Sequence, residues 1–230
     1  MSAVLGFDDA REVADLAAFL GRLIHYDRAA AVRLQAGGGA LAVFGRPPSF
    51  EVLAIRTARL VDASLSLDVT VSAGELLESL DESAATAGVP VAVTGPPWTG
   101  VLPPRGGWQP VPGLPEPERM RGAVSVAVAE FRSRDEQLPE ALRTRAERER
   151  IGREIWSRTL GSTELPLRAV HAAQSLGFLR PVRALASAGA PSAPEPVALF
   201  ASGPWLRLRT PYGSVALRRA GAAGLTVTPA

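Results

Sequence analysis

Apolar residues recur at helical spacing near the N-terminus and then switch to the alternation of strands. Val13, Leu16, Ala17, Leu20, Leu23 and Ile24 form one stripe, which predicts an amphipathic helix from about Ala10 to Ile24 facing a core. Asp8 and Asp9 stand where carboxylates satisfy the free N–H groups at its positive end. A three-stranded meander is predicted next: Ala31 to Ala36, a turn at Gly37 to Gly39, Ala40 to Phe44, a connection at Arg46 to Ser49, and Phe50 to Thr57. Leu67 to Val71 reads as a fourth strand, running into a helix from Ala73 to about Ala87 with Ser72 and Glu75 at capping-box spacing. Val91 to Thr94 reads as a further short strand.

Between residues 95 and 117 the pattern breaks down into prolines and glycines, which favours an extended path pinned by Trp98 or Trp108. Helical periodicity then returns. Met120, Val124, Ala127, Val128 and Phe131 share one helical face, and helix is preferred although Val124, Val126 and Val128 would also suit a strand; Pro139 opens a helix to about Leu160, and a third helix from Leu167 to Leu176 ends at Gly177. After a connection from Gly189 to Pro196, a second meander is predicted at Val197 to Ala201, Trp205 to Thr210 and Ser214 to Arg219, with Leu225 to Thr228 as an added edge.

Both meanders run strand, glycine turn, strand, proline turn, strand ending in arginine, which implies a degenerate duplication or a pseudo-symmetric sheet. The predicted class is α+β, an antiparallel sheet built from an N-terminal and a C-terminal β-meander with helices and a central helical insert. Residues 1–230 are expected to form one composite domain: an N-terminal αβ part (1–95), a Pro-rich connector (96–117), a helical part (118–178) and a C-terminal meander (197–230).

Composition narrows the chemistry. Of 230 residues, 25 are basic and 23 acidic, so the net charge is only +2, and the high pI of about 9.8 arises because every basic residue is arginine. Lysine, asparagine and cysteine are absent and isoleucine occurs four times, a coding bias typical of very GC-rich DNA. The missing residues remove thiolate chemistry, Cys-ligated metal centres, Schiff bases, phosphate-loop lysines and N-glycosylation. His25 and His171 alone cannot build a three-His zinc site. No cofactor is expected. The N-terminal stretch is acidic and amphipathic, unlike a signal peptide, and no apolar run is long enough to span a membrane, so the expected location is cytoplasmic.

The candidate binding surface is the second meander. Trp205, Arg207 and Arg209 alternate onto one face opposite Leu206 and Leu208, Arg218 (or Arg219 if the register slips) is expected across the hairpin, and Tyr212 at its tip. Arginines interleaved with aromatics would contact phosphates and stack on bases; the plainer alternative is a solvated sheet face. The helix carrying Arg143 to Arg158 alternates arginine with glutamate and reads as a salt-bridged surface, with Glu149–Arg153 and Glu154–Arg158 as expected pairs. Thr163 to Phe178 has a faint helix-turn-helix outline, and His171, Ser175 and Glu164 the composition, without the elbow motif, of a nucleophilic triad. Structural roles are expected for both histidines.

The tail from Trp205 through Arg219 and Leu225 to Ala230, about 26 residues of strand pattern, resembles that of EspG proteins. That resemblance implies a non-catalytic chaperone of type VII secretion with a pseudo-symmetric α/β fold. The element order of residues 9–95, with Val69 to Leu80 at strand-to-helix, also resembles a sliding-clamp-like domain. The expected function is therefore a non-catalytic binding, adaptor or chaperone-like protein whose partner is another protein and not a membrane. Nucleic-acid binding through the Arg/aromatic meander is the alternative, and an enzyme of unrecognised type the second.

Overall fold

Val32, Leu34, Leu41, Val43, Ala54 and Ala58 give the N-terminal strands one apolar face each, and helices close over it. The computed structural model describes residues 3–93, 102–181 and 196–219. Strand β1 (Val4–Gly6) precedes helix α1 (Ala10–Tyr26), followed by β2 (Ala31–Gly37), β3 (Ala40–Gly45), β4 (Leu53–Arg59) and β5 (Leu67–Ser72). Helix α2 (Ala73–Glu78) leads to β6 (Leu80–Asp81) and β7 (Thr86–Gly88). The second half holds β8 (Gln109–Val111), α3 (Pro117–Glu136), a 3-10 turn (Glu140–Leu142), α4 (Arg145–Trp156), α5 (Leu167–Ser175), β9 (Ala198–Ser202), β10 (Trp205–Thr210) and β11 (Gly213–Arg218). The fold is α+β, with antiparallel meanders at both ends of the chain and helices between them.

One eight-stranded sheet runs β5-β2-β3-β4-β11-β10-β9-β8, beside a small sheet β1-β7-β6. Its order has a pseudo-twofold character. β2, β3 and β4 approach the centre from one side, β9, β10 and β11 from the other, and the two final strands pair antiparallel with Ala54 opposite Val215. α1 packs over β4 and α5 over β11. The pseudo-symmetric sheet is thus one of the two alternatives that the like order of the meanders implied.

A buried arginine ties the halves together at that seam. Arg56 of β4 is 7% exposed and donates from Nη1 to the Tyr212 carbonyl at 3.0 Å, in the turn between β10 and β11. Its Nη2 donates to Glu12 at 3.1 Å and Asp15 at 3.2 Å, both on α1. Asp15 also pairs with Arg180, whose guanidinium lies 3.8 Å from the centre of the Tyr212 ring. Charge inside the fold is therefore matched on several sides, which such burial requires.

Several expectations change. The helix expected to reach Ala87 stops at Glu78, because Asp81 accepts hydrogen bonds from Ser83 and Ala84 in a tight turn and Thr86–Gly88 pairs with β1. The strand expected from Phe50 begins at Leu53, since Ser49 and Glu51 adopt positive φ (71° and 53°) in the turn before it. The helix expected from Pro139 starts in earnest at Arg145, capped by the Thr144 hydroxyl. Pro110, in the stretch read as polyproline, lies in β8, an edge strand where a missing N–H is tolerated. Val91 to Val93 contributes one bridge, Ala92 to Val71. Trp98, Thr94 and Leu225 to Thr228 lie outside the described residues, as does the connection from Gly189 to Glu195.

Candidate functional site

Strand alternation sends Trp205, Arg207 and Arg209 to the sheet face away from the helices, as their spacing requires, while Leu206 and Leu208 enter the main core. The same outer face receives Phe44 from β3, Leu53 and Ile55 from β4, and Ala216 from β11. Trp205 packs with these residues and is only 9% exposed. It is thus the floor of the face rather than a ring presented to solvent.

A strap crosses this apolar patch. Leu102 and Trp108 pack against it, and the Trp108 indole N–H donates to the Pro104 carbonyl at 3.0 Å, closing the strap on itself. Trp108 is the anchor that the composition of the connector called for. Beside the strap lies an open groove of about 410 Å³, lined among others by Gln35, Ala42, Phe44, Thr57, Arg105 and Arg207.

Arginines rim the patch. Arg33 holds Asp68 at 2.7 Å, and Gln35 donates to the same carboxylate at 3.0 Å. The Asp68 carboxyl is held below its ordinary range, first by the Arg33 hydrogen bond, with Arg105 adding a favourable charge. Arg207 donates to Ser214 Oγ at 3.1 Å and lies 5.8 Å from the Trp108 ring centre. Arg209 sits 4.6 Å from the Phe200 ring centre and Arg218 5.5 Å from that of Trp205. Arg218 and Arg105 are exposed. Each aromatic ring on this side of the second meander therefore has a guanidinium within cation–π range.

Tyr212 is separate from that face. It stands at the hairpin tip as expected, but its ring lies under Arg180 and its hydroxyl donates to the Pro181 carbonyl at 3.4 Å. The sequence thus located four of the five residues on one surface and missed Phe44, Ile55, Thr57, Leu102 and Arg105. Period-two alternation in β3 and β4 marked the first three; nothing local placed the strap over them.

The other sequence candidates resolve differently. The arginine-rich helix is knitted to α3: Arg134 pairs with Glu154 at 2.7 Å, Arg148 with Asp135 at 2.7 Å and Arg158 with Glu130 at 2.5 Å. Glu154 is held at about 2, mainly by its hydrogen bond to Arg134. Of the two expected helix pairs, Glu154–Arg158 forms at 3.7 Å, whereas Glu149 turns to Arg145 at 2.7 Å. α5 buries Leu167, Ala169, Val170, Ala172 and Ala173, leaving little of a recognition helix to present. His171 stacks on Trp156 at 4.4 Å and meets Phe50 edge-on at 5.1 Å, and burial pushes its pKa below the ordinary value. Exposed His25 meets Tyr26 edge-on. Among the described residues no cluster of three or more metal-ligating side chains occurs, and no helix is long and apolar enough to cross a membrane.

Residues 1–100 match a family described as a domain of unknown function (DUF8010), and residues 103–222 match a second such family (DUF8185). No curated protein matches the chain. The two matched regions contribute four strands each to the large sheet and meet at the pairing of β4 with β11.

Proposed function

We propose that this chain, which belongs to the DUF8185 family, is a non-catalytic binding protein of the cytoplasm that docks an acidic segment of a partner protein on the outer face of its sheet. The observation that carries this reading is the apolar patch of Phe44, Leu53, Ile55 and Trp205, flanked by a groove and rimmed by Arg33, Arg105, Arg207, Arg209 and Arg218, with Asp68 held by Arg33. An apolar centre with a charged rim is the usual anatomy of a protein interface. Among the described residues the groove lining holds no histidine and no carboxylate, which suits binding better than acid–base chemistry. An adaptor or chaperone-like role is also what the tail's resemblance to EspG proteins implies.

Nucleic-acid binding is less well served. Stacking on bases needs open aromatic faces, yet Trp205 is buried and Phe200 and Trp108 each have an arginine close to the ring. The test compares wild type with the triple variant Arg105→Gln/Arg207→Gln/Arg218→Gln. A partner retained by wild type, reconstituted from purified components and weakened by salt and by the triple variant, supports the proposal. Equal retention by the variant overturns it. Retention on oligonucleotides with a log–log salt slope that flattens by about 0.7 to 0.9 per arginine removed establishes the alternative.

A further inference from the structure

A second groove lies on the helical side of the sheet, between α4 and the turn before β4. It encloses about 830 Å³, and its walls include Ser49, Glu51, Phe131, Gly152, Arg153 and Trp156. That volume falls within the usual range for an organic ligand or a few residues of peptide.

Three independent features of the groove converge. The first is a slot between rings. Gly152 sits mid-helix, where glycine is intrinsically unfavourable, and a Cβ there would lie 3.7 Å from both the Phe131 ring and the Trp156 indole. With no side chain at Gly152, the Phe131 and Trp156 edges border an opening in the groove wall. Trp156 is held in place from behind by its stack on His171.

The second is charge. Nearby acids are already engaged: Glu149 with Arg145, Asp135 with Arg148, Glu147 with Arg150, and Glu154 with Arg134. Arg153 is exposed and has no ion pair or side-chain hydrogen bond among the described residues. Among the described residues the ion-pair partner of Arg168 is Glu51, 3.5 Å from its Nε, and that buried nitrogen donates no hydrogen bond.

The third is backbone strain on the facing wall. Ser49 and Glu51 both hold positive φ, at 71° and 53°, without being glycine. Such residues concentrate at ligand-binding loops, where the surrounding structure holds them in place.

From these features we infer that the groove binds an anionic aromatic group, its ring entering the Phe131–Gly152–Trp156 slot and its acid group meeting Arg153 beside Arg168. The acid group supplies what Arg153 lacks; the ring supplies the apolar body that fits the slot. The same chemistry occurs in a free aromatic carboxylate and in a peptide with an aromatic residue beside glutamates. This site is independent of the outer sheet face.

The probes are 2-naphthoate, its neutral counterpart 2-naphthol, and a blocked pentapeptide with tryptophan flanked by glutamates, titrated calorimetrically against the full chain. Saturable binding of naphthoate or peptide is expected. It should weaken about tenfold or more in Arg153→Gln, which removes one charge-assisted contact. It should be lost in Gly152→Leu, which fills the slot, and stay unchanged in Arg218→Gln on the other face. Thermal unfolding of each variant shows that it is folded; should Gly152→Leu fail to fold, Arg153→Gln and Gly152→Ala carry the test. Binding of naphthoate alone identifies a free acid as the ligand, and binding of the peptide alone a protein segment. The inference is overturned if neither acid binds at up to about 1 mM, if 2-naphthol binds as tightly as naphthoate, or if binding survives Arg153→Gln unchanged.

Discussion

Replacing Arg56 by methionine removes a buried cation that faces both α1 and the β10–β11 turn. Methionine keeps much of the apolar volume, so the loss is mainly electrostatic. Three hydrogen bonds disappear, to Tyr212, Glu12 and Asp15, and the Tyr212 carbonyl is left without this donor. Breaking a buried charge set by deleting one member costs about 3–5 kcal/mol. Each carboxylate keeps a second arginine, since Glu12 lies 3.6 Å from Arg59 and Asp15 pairs with Arg180. That places the expected loss at the lower end, about 3 kcal/mol, or roughly 6–12 °C in Tm for a chain of this size. Arg59, 70% exposed at its side chain, is the control; Arg59→Gln should cost less than about 1 kcal/mol. Chemical denaturation of both variants, with Glu12→Gln added in a double-mutant cycle, measures these values. The double variant should lose less than the sum of the singles, because neither partner is then stranded. A loss below about 1 kcal/mol for Arg56→Met, or strict additivity with Glu12→Gln, would refute the reasoning.

Other outcomes follow from single positions. Gly213 has φ of 154°, and a Cβ there would lie 2.6 Å from the buried Phe178 ring, itself stacked on Phe19; Gly213→Ala should cost about 2 kcal/mol or more by equilibrium unfolding, against under about 0.5 for Gly6→Ala, which has open space. His171 is held neutral by burial below its ordinary value of 6.5, so the unfolded chain binds its proton first and stability should fall as pH drops below about 6.5. His171→Phe should flatten that slope in thermal unfolding; an unchanged slope contradicts the assignment. The Glu154 carboxyl, set at about 2 by Arg134, should titrate in that region by NMR, so the link between α3 and α4 is present above the ordinary carboxylate range and lost only as pH falls toward about 2. A midpoint in the ordinary range contradicts the pairing.

Local periodicity carried most of the elements, because α1, α3 and the meanders bury one face each and their residues announce it. Helix α1 needed only Val13, Leu16, Leu20 and Leu23, together with the cap at Asp9. It failed where distant partners decide. The stretch after Glu78 has good helix formers, yet pairing of Thr86–Gly88 with β1 draws it into a hairpin. Alternation correctly assigned Trp205 and the arginines to one face, but Trp205's burial depends on Phe44, Ile55 and the Leu102–Trp108 strap, which are remote in sequence. Tyr212 left that face for the same kind of reason, since Arg180 holds its ring. The second groove was illegible because Gly152 and Arg153 acquire a facing wall only when Ser49 and Glu51 fold against them.

The claim that the outer sheet face receives the partner is tested most directly by site-specific photocross-linking. A photoreactive residue is placed at exposed Thr57, in the groove beside the strap, or at Val126, 68% exposed on α3. With the reconstituted partner, a cross-link from Thr57, mapped to an acidic segment and absent from Val126, is the predicted result. Cross-linking from Val126 with none from Thr57 would contradict the account.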